Sequence, residues 1–275
     1  GLPNLENVDI VMVSILENRM DANAMFQVES LDGTRRKLYE LFPGNWHSKM
    51  ADLGDIVAGE TVEDTYYAVR ELTSYLLEQK ILPIFLGGSQ DLMYPIYRAF
   101  DGHRHMINVV NVDSRFDLGN IDMPISNRSY VGKMVATEPY NLFNYSNLGY
   151  QTYFNSQDEI DLLDRLYFDA IRLGALDSDI TIAESVLRDA DFVGIDVKSI
   201  RSGDVMFDKG EPNGFQSAQM CRLSRYAGIS DRLTAFGIFE IPAGDFELMS
   251  SALSQVIWYF IEGYNYRSNE YPVDV

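Results

Sequence analysis

Asp113, Arg115 and Asp117 stand at i, i+2 and i+4 just after an apolar run, residues 106–110. On an extended chain, residues two apart point the same way, so this spacing predicts one cation held between two carboxylates. Three more polar groups follow apolar runs: Gln90 after the Gly87-Gly88 pair, Asp196 with Lys198 close behind, and Glu240. Singly, each has a plain reading, since a glycine pair marks a turn and an Asp after a strand caps a helix. Together they are more specific, because ligands in an open α/β sheet gather at the C-terminal ends of its strands. The candidate site is therefore Gln90, Asp113, Arg115, Asp117, Asp196, Lys198 and Glu240.

The apolar runs read as the strands that must carry these groups. Residues 8–15, 51–57, 81–86, 106–112, 148–154, 192–197 and 233–241 are expected as strands. Between them, Thr61 with Asp64 is a capping-box signature, opening a helix with an apolar stripe through Val62, Tyr66, Val69, Leu72 and Leu76. Helices are also expected at 34–41, from 90 toward 99, at 158–168, 180–188 and 217–226, and over a last segment. There Asp245 would be the cap, and Met249, Ala252, Val256 and Tyr259 the apolar stripe. Residues 126–145 show no period and are read mostly as loop, as is the glycine-rich segment 202–215. Strand, glycine turn, helix, strand around Gly87 is a βαβ unit, which makes the sheet parallel. The expectation is a single α/β domain over residues 1–275, three-layered α/β/α with a mainly parallel, doubly wound sheet.

A chain of 275 residues, 46% of them hydrophobic, is long enough to bury one sizeable core. Its net charge of −19 argues against nucleic-acid and anionic-membrane partners, which require a cationic footprint. The short basic stretch Arg35-Arg36-Lys37 does not alter that. A lone cysteine, Cys221, excludes an internal disulfide framework and reads as a small buried residue. No run approaches a membrane span and residues 1–6 lack a leader pattern, so a cytoplasmic protein is expected. Gly87-Gly88 alone matches neither phosphate-binding glycine signature.

Four stretches resemble the ureohydrolases, the family of arginase, agmatinase and formimidoylglutamase. They are Gly87-Gly88-Ser89-Gln90, Asp113-Ser114-Arg115-Phe116-Asp117, Asp196-Val197-Lys198 and Phe239-Glu240-Ile241-Pro242, in the family's order across nearly the whole chain. Phe116-Asp117-Leu118 and Asn147-Leu148-Gly149-Tyr150-Gln151 are closest to the formimidoylglutamase branch. The resemblance implies an arginase-like fold, a homo-oligomer and a site built for two manganese ions, which make a hydroxide by acidifying bound water. It also puts Glu240 opposite a cationic group of the substrate.

The departures from the family pattern carry the functional expectation. Gln90 and Arg115 stand where the family has histidines, and Lys198 where it has a carboxylate. Three carboxylates, Asp113, Asp117 and Asp196, then face two cations, Arg115 and Lys198, which is close to balance with no metal. The expected site is a salt-bridge cluster without manganese, no longer hydrolytic by the family mechanism, over a pocket that still takes a small cationic ligand. The alternative is an active hydrolase of formimino or guanidino C–N bonds, with an altered or single manganese or magnesium on Asp113, Asp117 and Asp196. Asp117 and Asp196 are the candidate catalytic bases. Trp258, Tyr259 and Phe260 are expected to pack on the core, and Tyr264, Tyr266 and Tyr271 to meet a neighbouring subunit.

Overall fold

The computed structural model describes residues 3–21, 23–24, 27–102, 106–207, 210–244 and 246–268. Among these residues eight strands and ten α-helices follow one another: β1 Ile10–Leu16, α1 Asp32–Tyr39, β2 Met50–Val57, α2 Val62–Glu78, β3 Leu82–Gly87, α3 Met93–Arg98, β4 Ile107–Val112, α4 Tyr130–Ala136 and β5 Leu142–Tyr150. There follow α5 Gln157–Arg165, β6 Asp169–Arg172, α6 Leu173–Ser178, α7 Ile182–Arg188, β7 Phe192–Asp196, α8 Ser202–Val205, α9 Ser217–Ile229, β8 Ala235–Phe239 and α10 Glu247–Tyr264.

The strands form one sheet in the order β2-β1-β3-β8-β7-β4-β5-β6, every neighbouring pair parallel. Strands β1, β3, β7 and β8 are buried at every position, as continuous apolar runs covered on both faces must be. The edge strand β2 instead alternates between partly buried and exposed positions. One core cluster joins Met12, Ile84 and Phe236 to Met220 of α9 and Phe260 of α10. A second joins Val13, Phe85 and Val109 to Val69 of α2 and Ile96 of α3, and a small third gathers Leu5, Val11, Leu76 and Ile81. The two large cores, on alternate residues of the same strands and so on opposite faces, make the expected α/β/α layering.

Four central strands, β3-β8-β7-β4, lie side by side, which brings the ends bearing Gln90, Glu240, Asp196 and Asp113 to one place. The crossing is tight. A Cβ on Gly88 would lie 1.9 Å from the carbonyl oxygen of Glu17, so only glycine lets the ends of β1 and β3 meet. Ser89 N–H donates to that same oxygen at 3.0 Å, and this turn delivers Gln90 to the site.

Several expectations shift. Residues 126–145 contain α4 and the start of β5, and the strand expected at 148–154 runs from Leu142 to Tyr150. Its first half is polar because Asn144 and Ser146 both donate to Asp169 on β6, at 2.8 and 3.2 Å. Pairing satisfies those groups without hydrophobicity, so neither β5's start nor β6 shows an apolar pattern. The 202–215 loop opens with the short helix α8. On α10 the buried face runs through Met249, Leu253, Val256, Ile257 and Phe260, with Phe260 stacked 4.1 Å from Phe236, while Tyr259 faces outward. The caps expected from Asp245 and the contacts of Tyr271 lie outside the described residues. No helix among the described residues is long and apolar enough to cross a membrane.

Candidate functional site

The chain leaves β4 after Val112, and the next five residues form a turn rather than an extended strand. Asp113 accepts from the backbone N–H of Arg115 at 2.8 Å, closing a local turn, and Asp117 has a left-handed backbone with φ 51°. Glu240, also left-handed at φ 60°, ends β8. Two non-glycine residues held in this sparsely populated region, at a cost of order 1 kcal/mol each, mark a place where backbone comfort yields to side-chain position.

Asp113, Asp117 and Asp196 are all buried below 5% exposure and converge as expected. Asp196 accepts from the backbone N–H of Lys198 at 2.7 Å. Burial first, then the charges of Asp117 and Asp196, pushes the Asp113 carboxyl well above the usual carboxylate range. Burial also raises Asp117, against the pull of Arg128 and a hydrogen bond with Asp113. Asp196 is pushed up to about 7 by burial and Glu240, opposed by Lys198 and Arg128. Among the described residues, Oδ2 of Asp117 has no hydrogen-bond partner.

The cations are not all where the spacing placed them. Lys198 does join the cluster: its Nζ donates to both Glu240 and, at 3.3 Å, Asp21. Burial alone would lower its pKa, but Glu240 and Asp196 outweigh burial and raise it. Arg115 does not sit between the two carboxylates. Because the segment turns, its guanidinium lies 4.1 Å over the ring of Phe154 and donates to the Phe154 carbonyl at 3.2 Å. The cation on Asp117 is Arg128, 3.1 Å from Oδ1.

Arg128 is therefore the site residue that the sequence reading missed, together with Asn127 and Asp21. Asn127 Nδ2 donates to Glu240 and Asp21, each at 3.0 Å. Residue 126 marks where α4's approach begins, in a polar segment with no hydropathic signal; only the clustering of Asn127 and Arg128 after Asp117 could have drawn notice. Gln90, 1% exposed, donates its backbone N–H to Glu240 at 2.8 Å and its side-chain amide to Asn111 at 2.8 Å. Asn111 in turn reaches Asp113 at 3.2 Å and the Tyr130 hydroxyl at 2.8 Å. Beneath Gln90, Asp91 binds the Tyr66 hydroxyl and is pushed up to about 7 by burial, with Glu240 adding to the rise.

Above these groups opens a cavity of about 680 Å³, lined among others by Asp21, Arg115, Arg128, Asp196, Lys198 and Glu240. That volume suits a small ligand. Glu240 is a poor free anchor for a cationic one, since its two oxygens already accept from Gln90, Asn127 and Lys198.

Among the described residues, no group of three or more His, Cys, Asp or Glu could hold a metal ion. The chemistry of the donor set agrees with that geometry. A guanidinium on Asp117 occupies a carboxylate oxygen that a divalent pair would need, and Gln90, Arg115 and Lys198 supply neither an imidazole nor a carboxylate toward one. The residues present do not fit a dinuclear manganese centre.

A family model described as the arginase family matches residues 19–259. Solved structures with the same fold include a formiminoglutamase of Trypanosoma cruzi determined with manganese, at a TM-score of 0.85 and 16% identity, covering 96% of each chain. The formimidoylglutamase of Bacillus subtilis superposes with a TM-score of 0.82 at 14% identity, covering 95% of this chain and 89% of that one. An agmatine ureohydrolase of Thermoplasma volcanium gives 0.76 at 19% identity, over 95% and 92%. A formimidoylglutamase of Halobacterium salinarum is 40% identical over 75 residues, 26% of this chain and 24% of that protein's length.

Proposed function

The chain belongs to the arginase family, and from that membership we propose that its site has exchanged metal for ion pairs and binds a small ligand without the family's hydrolysis. The observation that carries this reading is Arg128 on Asp117, matched by Lys198 between Glu240 and Asp21. These two cations do what divalent ions would do for the carboxylates: they offset mutual repulsion in a buried place. On this reading the site takes no metal cofactor.

Hydrolysis without metal would leave a buried carboxyl as the only helper for water. Asp196 faces the cavity and is the better-placed base of the two candidates, since Asp117 is already engaged by Arg128. A general base typically contributes about 10²–10⁴-fold, short of what attack on an amidine carbon requires.

The second reading, an active C–N hydrolase with an altered or single manganese on Asp113, Asp117 and Asp196, is favoured by the local 40% identity to a formimidoylglutamase. It requires Arg128 to leave Asp117. Ammonia, formamide and urea release from formimino and guanidino acids, with added manganese, separates the two. No release above the protein-free rate is expected; manganese-dependent turnover of any of these substrates would refute the reading.

A further inference from the structure

Charges on the cavity wall are unequally matched. Lys198 is held by two carboxylates, and those two, Glu240 and Asp21, are further engaged by Asn127. Arg115 lines the same cavity with no carboxylate of the described residues within ion-pair distance; its guanidinium donates from Nη1 to the Phe154 carbonyl. Its guanidinium is nonetheless fixed, flat on the Phe154 ring, so binding a ligand there would cost little side-chain freedom. Among the described residues Arg128 is engaged through Nη1 alone; it is 35% exposed and lines the same cavity, so its other nitrogens are free of protein partners there.

We propose that this cavity binds a small organic carboxylate, received by the guanidinium of Arg115 and the open edge of Arg128. Two planar forks match the planar acceptor pair of a carboxylate, and each contact is a charge-assisted hydrogen bond. Glu211 lines the wall without an ion pair to either arginine, which disfavours a more highly charged anion such as phosphate. The inference rests on the proposed function, because a metal on Asp117 would displace Arg128.

The test uses the full chain and three probes of one size: butyrate, butyramide and butylamine, with inorganic phosphate as a fourth, each read by ligand-observed NMR titration. Butyrate should bind about tenfold more tightly than butyramide, and Arg115→Gln should remove that margin while Arg115→Lys keeps part of it. Equal binding of butyrate and butyramide, tighter binding of butylamine or phosphate, or an unchanged margin in Arg115→Gln would overturn the assignment. The metal content of the same sample is measured in parallel. Failure to discriminate butyrate in metal-free protein sinks only the carboxylate assignment, whereas tightly held manganese sinks the proposed function itself.

Discussion

Removing Arg128 leaves Asp117 buried with no cation on it. Arg128→Gln should therefore destabilise the fold by about 2 kcal/mol, below the usual range for breaking a buried pair because the arginine is 35% exposed. Adding Asp117→Asn should recover most of that loss, and denaturant titration of the four-member cycle measures it. Arg115→Gln, with no carboxylate partner to orphan among the described residues, should cost less than about 1 kcal/mol. If the two arginine variants lose equal stability, the pairing described for Asp117 is wrong. The contrast also shows what the sequence could and could not reveal. The convergence of Asp113, Asp117, Asp196, Gln90, Lys198 and Glu240 was legible because each follows an apolar run. Which arginine meets Asp117 was not, because alternation holds only while the chain stays extended, and it turns at Asp113. Reversion follows the corrected geometry: Gln90→His, Arg115→His and Lys198→Asp should restore manganese affinity only when Arg128 is also replaced by Ser, read by calorimetric titration with manganese.

Strand order does at the level of elements what residue spacing does locally. The ends of β3, β8, β7 and β4 are neighbours, so polar groups far apart in sequence meet without any long side chain reaching across. The central strands were readable from their unbroken apolar runs, and α2 from its capping box, which forms as expected between Thr61 and Asp64. Elements whose polar groups pair with one another, such as the first half of β5 with β6, carry no hydropathic signal and stayed hidden. The most constrained joint is the meeting of β1 and β3 at Gly88. Gly88→Ala would force a Cβ against the Glu17 backbone, and should cost at least about 3 kcal/mol, the upper end for overpacking. A thermal midpoint equal to that of the unsubstituted chain would show that the two strand ends do not meet this closely.

Across the whole molecule, the buried carboxyls tie folding to pH. Asp196 and Asp91 ionise near 7 in the folded chain, and Asp113 is also raised, all chiefly by burial, while an unfolded Asp ionises near 4. Between those values the native state binds more protons than the unfolded one, so their contribution is full below about pH 4 and is lost as pH rises through about 7. Asp196→Asn should flatten the slope of stability over that window; a slope unchanged by the substitution would mean that Asp196 ionises normally.

On the proposed reading, that same store of protons and cations stands in for metal charge in the site, and metal uptake is where the reading is most exposed to contradiction. The full chain would be incubated with excess manganese and desalted, and its metal content per chain determined. Near-zero manganese is the outcome expected of a cluster held by Arg128 and Lys198. One or two tightly retained ions per chain would mean that these cations give way to metal, and that the site retains the family's chemistry.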